Sequence, residues 1–312
     1  MCAHKIFIFL FLICIAWAGE ENIDHTLTDA ALVQRARGLQ VARHVVQLEA
    51  EVYGLTFRTG SAVCIGDNQF LSNAHCFKPW CDSNGQPKYS LYINAEEKGR
   101  KKISNLQIHK LYLKGKVSSK KAYDIAYFSI EDSVQNIEGI EPTYLDPISP
   151  DLFGKHLDVI GYGISGDVGS WFGSCDGLKR AIVSHIDSYF SYIPGKIAGI
   201  SSYFGMKVEY DGLSRKDTVI ALKAYQAGLR PGMSGGGVFD DDKYVAISSS
   251  HGFYQKRNFI LKILSPFLKG MAALGIPTPF LHRSIGDQER FLVLGPLKAW
   301  IENKRESRKA SI

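Results

Sequence analysis

The sequence predicts an all-β domain, a barrel or a sandwich, on three observations. Short apolar runs recur along the chain, turn residues separate them, and no internal repeat of about 20–50 residues is present. The runs are Val45-Val46-Gln47-Leu48, Ser61-Ala62-Val63-Cys64-Ile65, Gln69-Phe70-Leu71, Tyr89-Ser90-Leu91-Tyr92-Ile93, Ile125-Ala126-Tyr127-Phe128-Ser129-Ile130, Leu157-Asp158-Val159-Ile160 and Val245-Ala246-Ile247. Gly66-Asp67-Asn68 is typical of the punctuation between them.

Helical patterns flank this texture. Thr28 to Ala42 reads as a short amphipathic helix with Thr28 or Asp29 as cap and with Leu32, Ala36 and Leu39 on one face. It is either a propeptide or an N-terminal extension packed on the domain. Pro296 to Asn303 reads as a closing helix, with Leu297, Trp300 and Ile301 on one face. The lysine-rich stretch from Lys98 to Lys121 reads as a solvated surface loop and edge strand, and Lys304 to Lys309 as a solvated tail. Phe267 to Arg290 is punctuated by Gly and Pro and carries no motif.

The chain opens like a secretory leader. Lys5 (with His4) gives a short basic start, Ile6 to Ile15 is an unbroken apolar run, and Ala16-Trp17-Ala18 fits a small-x-small cleavage site before Gly19. The run is too short to span a bilayer, which takes about 20 residues. Residues 1–18 are therefore expected to be a signal peptide, with a secreted or periplasmic protein and no stable membrane span. Residues 19–44 follow as the extension or propeptide, residues 45–305 as the domain, and residues 306–312 as a basic tail.

Cysteine usage fits that compartment. Cys2 and Cys14 leave with the leader, and Cys64, Cys76, Cys81 and Cys175 remain. An even count in a secreted chain predicts disulfides, with the connectivity open. A zinc site is the runner-up, but Cys76 and Cys81 have no second close pair, so no metal is expected. The 312 residues carry 45% hydrophobic and 22% charged residues, an ordinary globular balance. A net charge of +6 is modest at this length and argues against nucleic acid as a partner.

Three segments carry the chemistry: Phe70-Leu71-Ser72-Asn73-Ala74-His75-Cys76, Tyr123-Asp124-Ile125-Ala126 and Pro231-Gly232-Met233-Ser234-Gly235-Gly236. A serine hydroxyl is a weak nucleophile and needs a base, for which histidine has a suitable pKa. The imidazole must in turn be held in one tautomer and stabilised once charged, which a buried carboxylate does. Glycines beside the serine let backbone amides turn toward a developing oxyanion, here those of Gly232 and Ser234.

In this order the segments resemble the trypsin/chymotrypsin-like serine peptidases. His75 stands in the family's Ala-His-Cys motif, Asp124 in its Asp-Ile-Ala motif and Ser234 in its Gly-x-Ser-Gly-Gly motif. Ile160-Gly161-Tyr162-Gly163 resembles the turn between the family's two barrels, Ser250-His251-Gly252 its substrate-pairing strand, and Leu297 to Asn303 its closing helix. The resemblance spans roughly Val45 to Asn303. It implies two six-stranded antiparallel β-barrels joined near residues 145–165, a C-terminal helix, and the triad in the cleft between the barrels. It also implies a secreted serine endopeptidase acting on protein or peptide substrates without a cofactor. His75, Asp124 and Ser234 would be catalytic, Gly232 and Ser234 would form the oxyanion hole, and Gly228, Ser250, His251 and Gly252 would contact substrate. Ser248 and Ser249 compete with Ser250 as a hydrogen-bond partner of Asp124.

The departures narrow the comparison. Met233 replaces the aspartate that pairs with a newly cut N-terminus in animal digestive members, and no activation site of their kind is present. Asn73-Ala74-His75 and Pro231-Gly232-Met233-Ser234 are closer to the bacterial HtrA-like and glutamyl endopeptidase-like branches, with no PDZ-like sequence following. Cys64 lies after Gly60-Ser61, where the family's usual partner for Cys76 lies before that strand, so the family disulfide is not carried over. Gly228 lacks the charge that selects Arg or Lys, so a small or apolar P1 residue is expected, with an acidic P1 served by His251 or Arg230 as the alternative. Two other classes were weighed. A catalytically silent chymotrypsin-fold binding protein would retain the same residues. An α/β-hydrolase would use Gly232-Met233-Ser234-Gly235-Gly236 as its nucleophile elbow, with partners such as Asp240 and His282. Pro231 before the turn and Gly236-Gly237-Val238-Phe239 after it argue against that elbow.

Overall fold

The computed structural model describes residues 27–96, 98–114, 123–130, 137–145, 155–166, 172–193, 196–197, 218–225, 230–251, 278–279 and 288–309. The leader, Gly228, Gly252, the inter-barrel residues 146–154 and most of Phe267 to Arg290 lie outside the described residues.

Two β assemblies form the domain. The first comprises β1 (Val45–Val52), β2 (Leu55–Cys64), β3 (Gln69–Ser72), β4 (Ser90–Ala95), β5 (Gly99–Ile108) and β6 (Ala126–Ile130). They close into a barrel in the order β1-β2-β3-β6-β5-β4, with every pair antiparallel. The alternation of a strand explains the apolar runs. Val46, Leu48, Ala62, Cys64, Phe70, Ile93, Ala126 and Phe128 fill the barrel. Their neighbours Val45, Val63, Leu71 and Tyr127 point the other way and are buried too. Both faces are covered, so the runs are nearly continuous rather than alternating.

The second assembly contains β7 (His156–Gly161), β9 (Arg180–Ile193), β10 (Lys196–Ile197), β11 (Thr218–Tyr225), β12 (Gly237–Asp240), β13 (Lys243–His251) and β15 (Gln288–Val293). Its order is β10-β9-β11-β15-β13-β12-β7, and β7 also pairs with β9. That pairing joins the ends of six strands into a ring and leaves β10 as a seventh, hairpin strand on β9. A separate small ribbon pairs β8 (Phe172–Gly173) with β14 (Thr278–Pro279).

The outward-facing residues of the first barrel meet Ile160, Phe239, Tyr244, Ile247 and Leu292 of the second in one apolar cluster. The closing helix joins this seam. A 3-10 turn at Gly295–Leu297 leads into a helix over Lys298–Lys309, and Leu297 and Ile301 are buried in the seam. The helix therefore runs past Asn303 into the stretch expected to be a tail. One of its basic residues is held there: Arg305 pairs with Glu141 at 2.6 Å.

At the other end, α1 (Asp29–Gly38) is shorter than expected and hands over to a 3-10 turn at Gln40–His44. Thr28 is the cap, its Oγ1 accepting from Ala31 N–H at 3.2 Å. Asp29 is left to do something else. Leu32, Val33 and Ala36 are buried, so α1 packs on the domain.

The cysteine expectation is corrected. Cys64, Cys76, Cys81 and Cys175 are buried free thiols. Cys64, Cys76 and Cys81 sit among the apolar side chains of the first barrel, while the backbone carbonyl of Cys175 accepts from Arg58 elsewhere. The position aimed at Cys76 is a glycine: a Cβ on Gly60 would lie 2.6 Å from Cys76 Sγ. Among the described residues no helix is long and apolar enough to cross a membrane, and no cluster of metal-ligating side chains is found.

Candidate active site

The three chemical segments meet where the two assemblies face each other. After β3, Asn73 starts α2 (Ala74–Phe77), a single turn that carries His75. Asn73 Nδ2 donates to the Asp124 carbonyl at 2.9 Å and ties this turn to the approach of β6. The Asp124 side chain is buried, and donors surround its carboxylate. Oδ1 accepts from the His75 backbone N–H at 2.8 Å. Oδ2 accepts from His75 Nδ1 at 2.6 Å and from Ser249 Oγ at 3.1 Å. A carboxylate can only accept, so His75 carries its proton on Nδ1 and leaves the Nε2 lone pair for a base's work. Burial alone would lower the His75 pKa. The facing Asp124 charge outweighs it and holds the imidazole above the ordinary histidine value.

Of the serines that compete for Asp124, Ser249 is a partner. The register of β13 against β15 shifts between Ser248 and Ser250, which face Phe291 and Arg290. Ser249 is the extra residue of this bulge, and a bulge re-aims a side chain. Consecutive serines thereby serve different ends: Ser249 Oγ goes to Asp124, while Ser248 Oγ donates to the Met233 carbonyl at 2.6 Å. The Ser249 carbonyl also accepts from Ser234 Oγ at 3.1 Å. Among the described residues no hydrogen bond joins Ser234 Oγ to His75.

Two successive turns shape the nucleophile loop. Met233 N–H donates to the Arg230 carbonyl at 3.0 Å, and Gly236 N–H to the Met233 carbonyl at 2.9 Å. The third residue of each turn is a glycine with positive φ, +94° at Gly232 and +85° at Gly235, as a type II turn requires. Pro231 presets the residue before Gly232. A side chain at Gly232 would strike the Tyr162 carbonyl, and one at Gly235 the Ser61 carbonyl.

These turns fix the peptide planes whose N–H groups matter. The Pro231 carbonyl accepts from Ile164 N–H at 2.9 Å. The Met233 carbonyl accepts from Gly236 N–H at 2.9 Å and Ser248 Oγ at 2.6 Å. In a trans peptide the N–H points away from the carbonyl of its plane, so Gly232 N–H points away from Ile164 and Ser234 N–H away from Gly236 and Ser248. Further ties lock the loop: Ser61 Oγ donates to the Gly232 carbonyl at 2.9 Å, and Ser61 N–H to the Ser234 carbonyl at 2.8 Å.

Over residues 60–246 the sequence matches the trypsin-like peptidase domain. The chain belongs to the trypsin-like peptidase family. Its activity is thus that of a peptidase, a hydrolase acting on peptide substrates. Among solved structures it is similar to neuropsin, a serine protease expressed in the limbic system of mouse brain, at 13% identity with a TM-score of 0.51. That match covers 92% of this chain and 99% of the other, and the likeness is one of fold. It is also similar to the inactive form of the Rv3671c protease of M. tuberculosis, at 12% identity and a TM-score of 0.47, over 89% and 96% of the two chains. No curated protein sequence matches the chain.

The remaining expected residues of the peptidase divide. Ser250 and His251 lie at the end of β13, paired in backbone register with Arg290 and Glu289, and Gly228 and Gly252 lie outside the described residues. Arg230 is not free to meet an acidic substrate: it is buried, with Nη1 bound to Asp29 at 2.6 Å. Ser234 is followed by β12 and not by a helix, which removes the nucleophile-elbow alternative. Asn73, Ser61, Ser248 and Asp29 were not legible as site residues, since each acts through a partner distant in sequence. The Ser248-Ser249-Ser250 run was the one signal that a serine near Asp124 was on offer.

Proposed function

We propose that this peptidase is a serine endopeptidase that works through an acyl-enzyme on Ser234. The observation that carries the proposal is the Asp124 carboxylate, which holds His75 by both its ring Nδ1 and its backbone N–H while sharing Ser249 with the Ser234 hydroxyl. Ser234 Oγ attacks the scissile carbonyl, and its proton passes to His75 Nε2. Asp124 stabilises the imidazolium without taking the proton. The Gly232 and Ser234 amides stabilise the oxyanion, and His75 returns the proton to the leaving amine. Water then enters and cleaves the ester by the same steps in reverse.

The P1 residue is proposed to be small or apolar. Gly228 brings no charge to select Arg or Lys, and Arg230 is engaged by Asp29. Export through the leader at residues 1–18 belongs to the same proposal. Ser234→Ala should leave the fold intact and remove essentially all peptide hydrolysis, a loss of about a millionfold in kcat where the triad acts as a unit. Hydrolysis by purified Ser234→Ala at the wild-type rate would refute the assignment.

A further inference from the structure

The nucleophile loop is tied to the N-terminal helix by a buried ionic cluster. Asp29, the first residue of α1, receives Arg180 Nε at 2.7 Å and Arg230 Nη1 at 2.6 Å on Oδ1, and Arg180 Nη2 at 2.6 Å on Oδ2. Arg180 has no exposed surface and Arg230 is 6% exposed. Arg180 also donates to Asp176 Oδ2 at 2.7 Å and to the Gly163 and Leu178 carbonyls at 2.8 Å each. The two arginines are thereby matched by two aspartates. Burial by itself would raise the Asp29 pKa, but the hydrogen bonds and charge of Arg180, joined by those of Arg230, hold it below the ordinary carboxylate value.

The position of Arg230 gives the cluster its consequence. Arg230 supplies the carbonyl that opens the Arg230–Met233 turn, one residue before the Pro231–Gly232 plane that presents Gly232 N–H. Its Nη1 also donates to the Ile164 carbonyl at 3.2 Å, while Ile164 N–H holds the Pro231 carbonyl at 2.9 Å. Helix α1 reaches this loop by packing as well: Leu32 lies in one apolar cluster with Met233, the residue between the two oxyanion amides. Neutralising Asp29 would leave Arg180 its Asp176 partner and would remove the ion pair that Arg230 makes with Asp29 at 2.6 Å. Loss of an ion pair from a buried guanidinium is costly, and any shift of Arg230 moves Pro231 and Gly232 with it.

We propose that Asp29 is a positioning residue for the oxyanion turn, acting through Arg230, so that α1 is a resident activating element of the domain and not an inhibitory propeptide. The proposal rests on the acyl-enzyme reading above. It assigns the loop its working shape without a newly cut N-terminus, and it means that cleavage between Asp29 and Val45 switches the enzyme off.

The test uses the full chain with Asp29→Asn, Arg230→Gln, the double variant, and Arg35→Ala as a control on the same helix, where Arg35 pairs with Asp158 at 2.7 Å. The readouts are kcat and KM on a fluorogenic peptide cut by the wild type, the rate of fluorophosphonate labelling, and amide hydrogen exchange over residues 230–236. Asp29→Asn and Arg230→Gln should each lower kcat and the labelling rate about 10- to 100-fold, short of the loss of a whole oxyanion donor. KM should stay within about twofold. The double variant should be no worse than either single one, exchange over 230–236 should rise, and Arg35→Ala should match the wild type. Wild-type kcat in Asp29→Asn, losses that multiply in the double variant, or unchanged exchange over 230–236 would overturn the proposal while leaving the serine peptidase standing. A wild type that neither cleaves peptide nor labels would overturn both. If Asp29→Asn fails to fold, Arg230→Gln with unchanged kcat and exchange is the overturning result.

Discussion

At the scale of the residue, the site is organised around what a buried carboxylate requires. Asp124 is buried and collects donors from His75 and Ser249. Because the charge of Asp124 raises the His75 pKa, the neutral base disappears as pH falls through a value above the ordinary one of about 6.5. The acidic limb of kcat/KM should therefore lie above pH 6.5. Asp124→Asn should move it to lower pH and lower the plateau about 10⁴-fold. A limb at the same pH in Asp124→Asn would show that another group titrates. His75, Asp124 and Ser234 were legible in the sequence as candidates because each sits in a short motif whose neighbours have their own reasons to be there. The Asp124 partner was legible only as a choice among three serines. The bulge that selects Ser249 depends on the register against β15, which pairing across the sheet decides.

At the scale of the element, strands buried on both faces announced themselves and mixed ones did not. Phe70 and Leu71 of β3, or Tyr127 and Phe128 of β6, are apolar in sequence because each faces one of two cores. β5 reads Gly-Arg-Lys-Lys over its first half and buries little there, so a ten-residue barrel strand looked like a solvated loop and edge strand. The closing helix was visible from Trp300 and Ile301, but its docking was not. His109 stacks on Tyr123 at 4.6 Å with the rings 12° from parallel, and meets Trp300 of the helix at 5.2 Å. Burial, helped by the charges of Lys110 and Lys304, lowers its pKa to about 4. A group lowered in this way favours the fold in its neutral form. That stability is full above about pH 6.5 and is lost as pH falls toward 4. Wild-type Tm should thus drop between pH 7 and pH 5. His109→Phe keeps a ring in the stack but loses the Nδ1 acceptor of Leu111 N–H, 3.2 Å away. It should be less stable by about 1 kcal/mol at pH 7 and show a smaller acid drop. Equal drops in thermal melts of the two proteins would place the acid sensitivity elsewhere.

At the scale of the whole molecule, the proposed mechanism needs two assemblies that hold still relative to each other. His75 and Asp124 come from the first, while Ser234, Ser249 and the oxyanion amides come from the second. The apolar seam shared by Val63, Leu71, Phe239, Ile247 and Ile301 keeps them in register. The architecture was readable through the order of the motifs, down to the ring of six strands in each half. The missing disulfides were not, because counting cysteines says nothing of where they point. Three of the thiols serve as small apolar side chains in the first barrel. Nor did the sequence show that Asp29, from the other end of the domain, pairs with Arg230 beside this loop, since that pairing exists only once α1 has docked.

The most direct test of the central claim is fluorophosphonate labelling of the native protein with peptide mapping of the adduct. An activated serine should give a single adduct on Ser234, absent after denaturation and in His75→Ala. Absence of the native adduct, or an equal adduct in His75→Ala, would contradict the assignment of Ser234 as a nucleophile driven by His75.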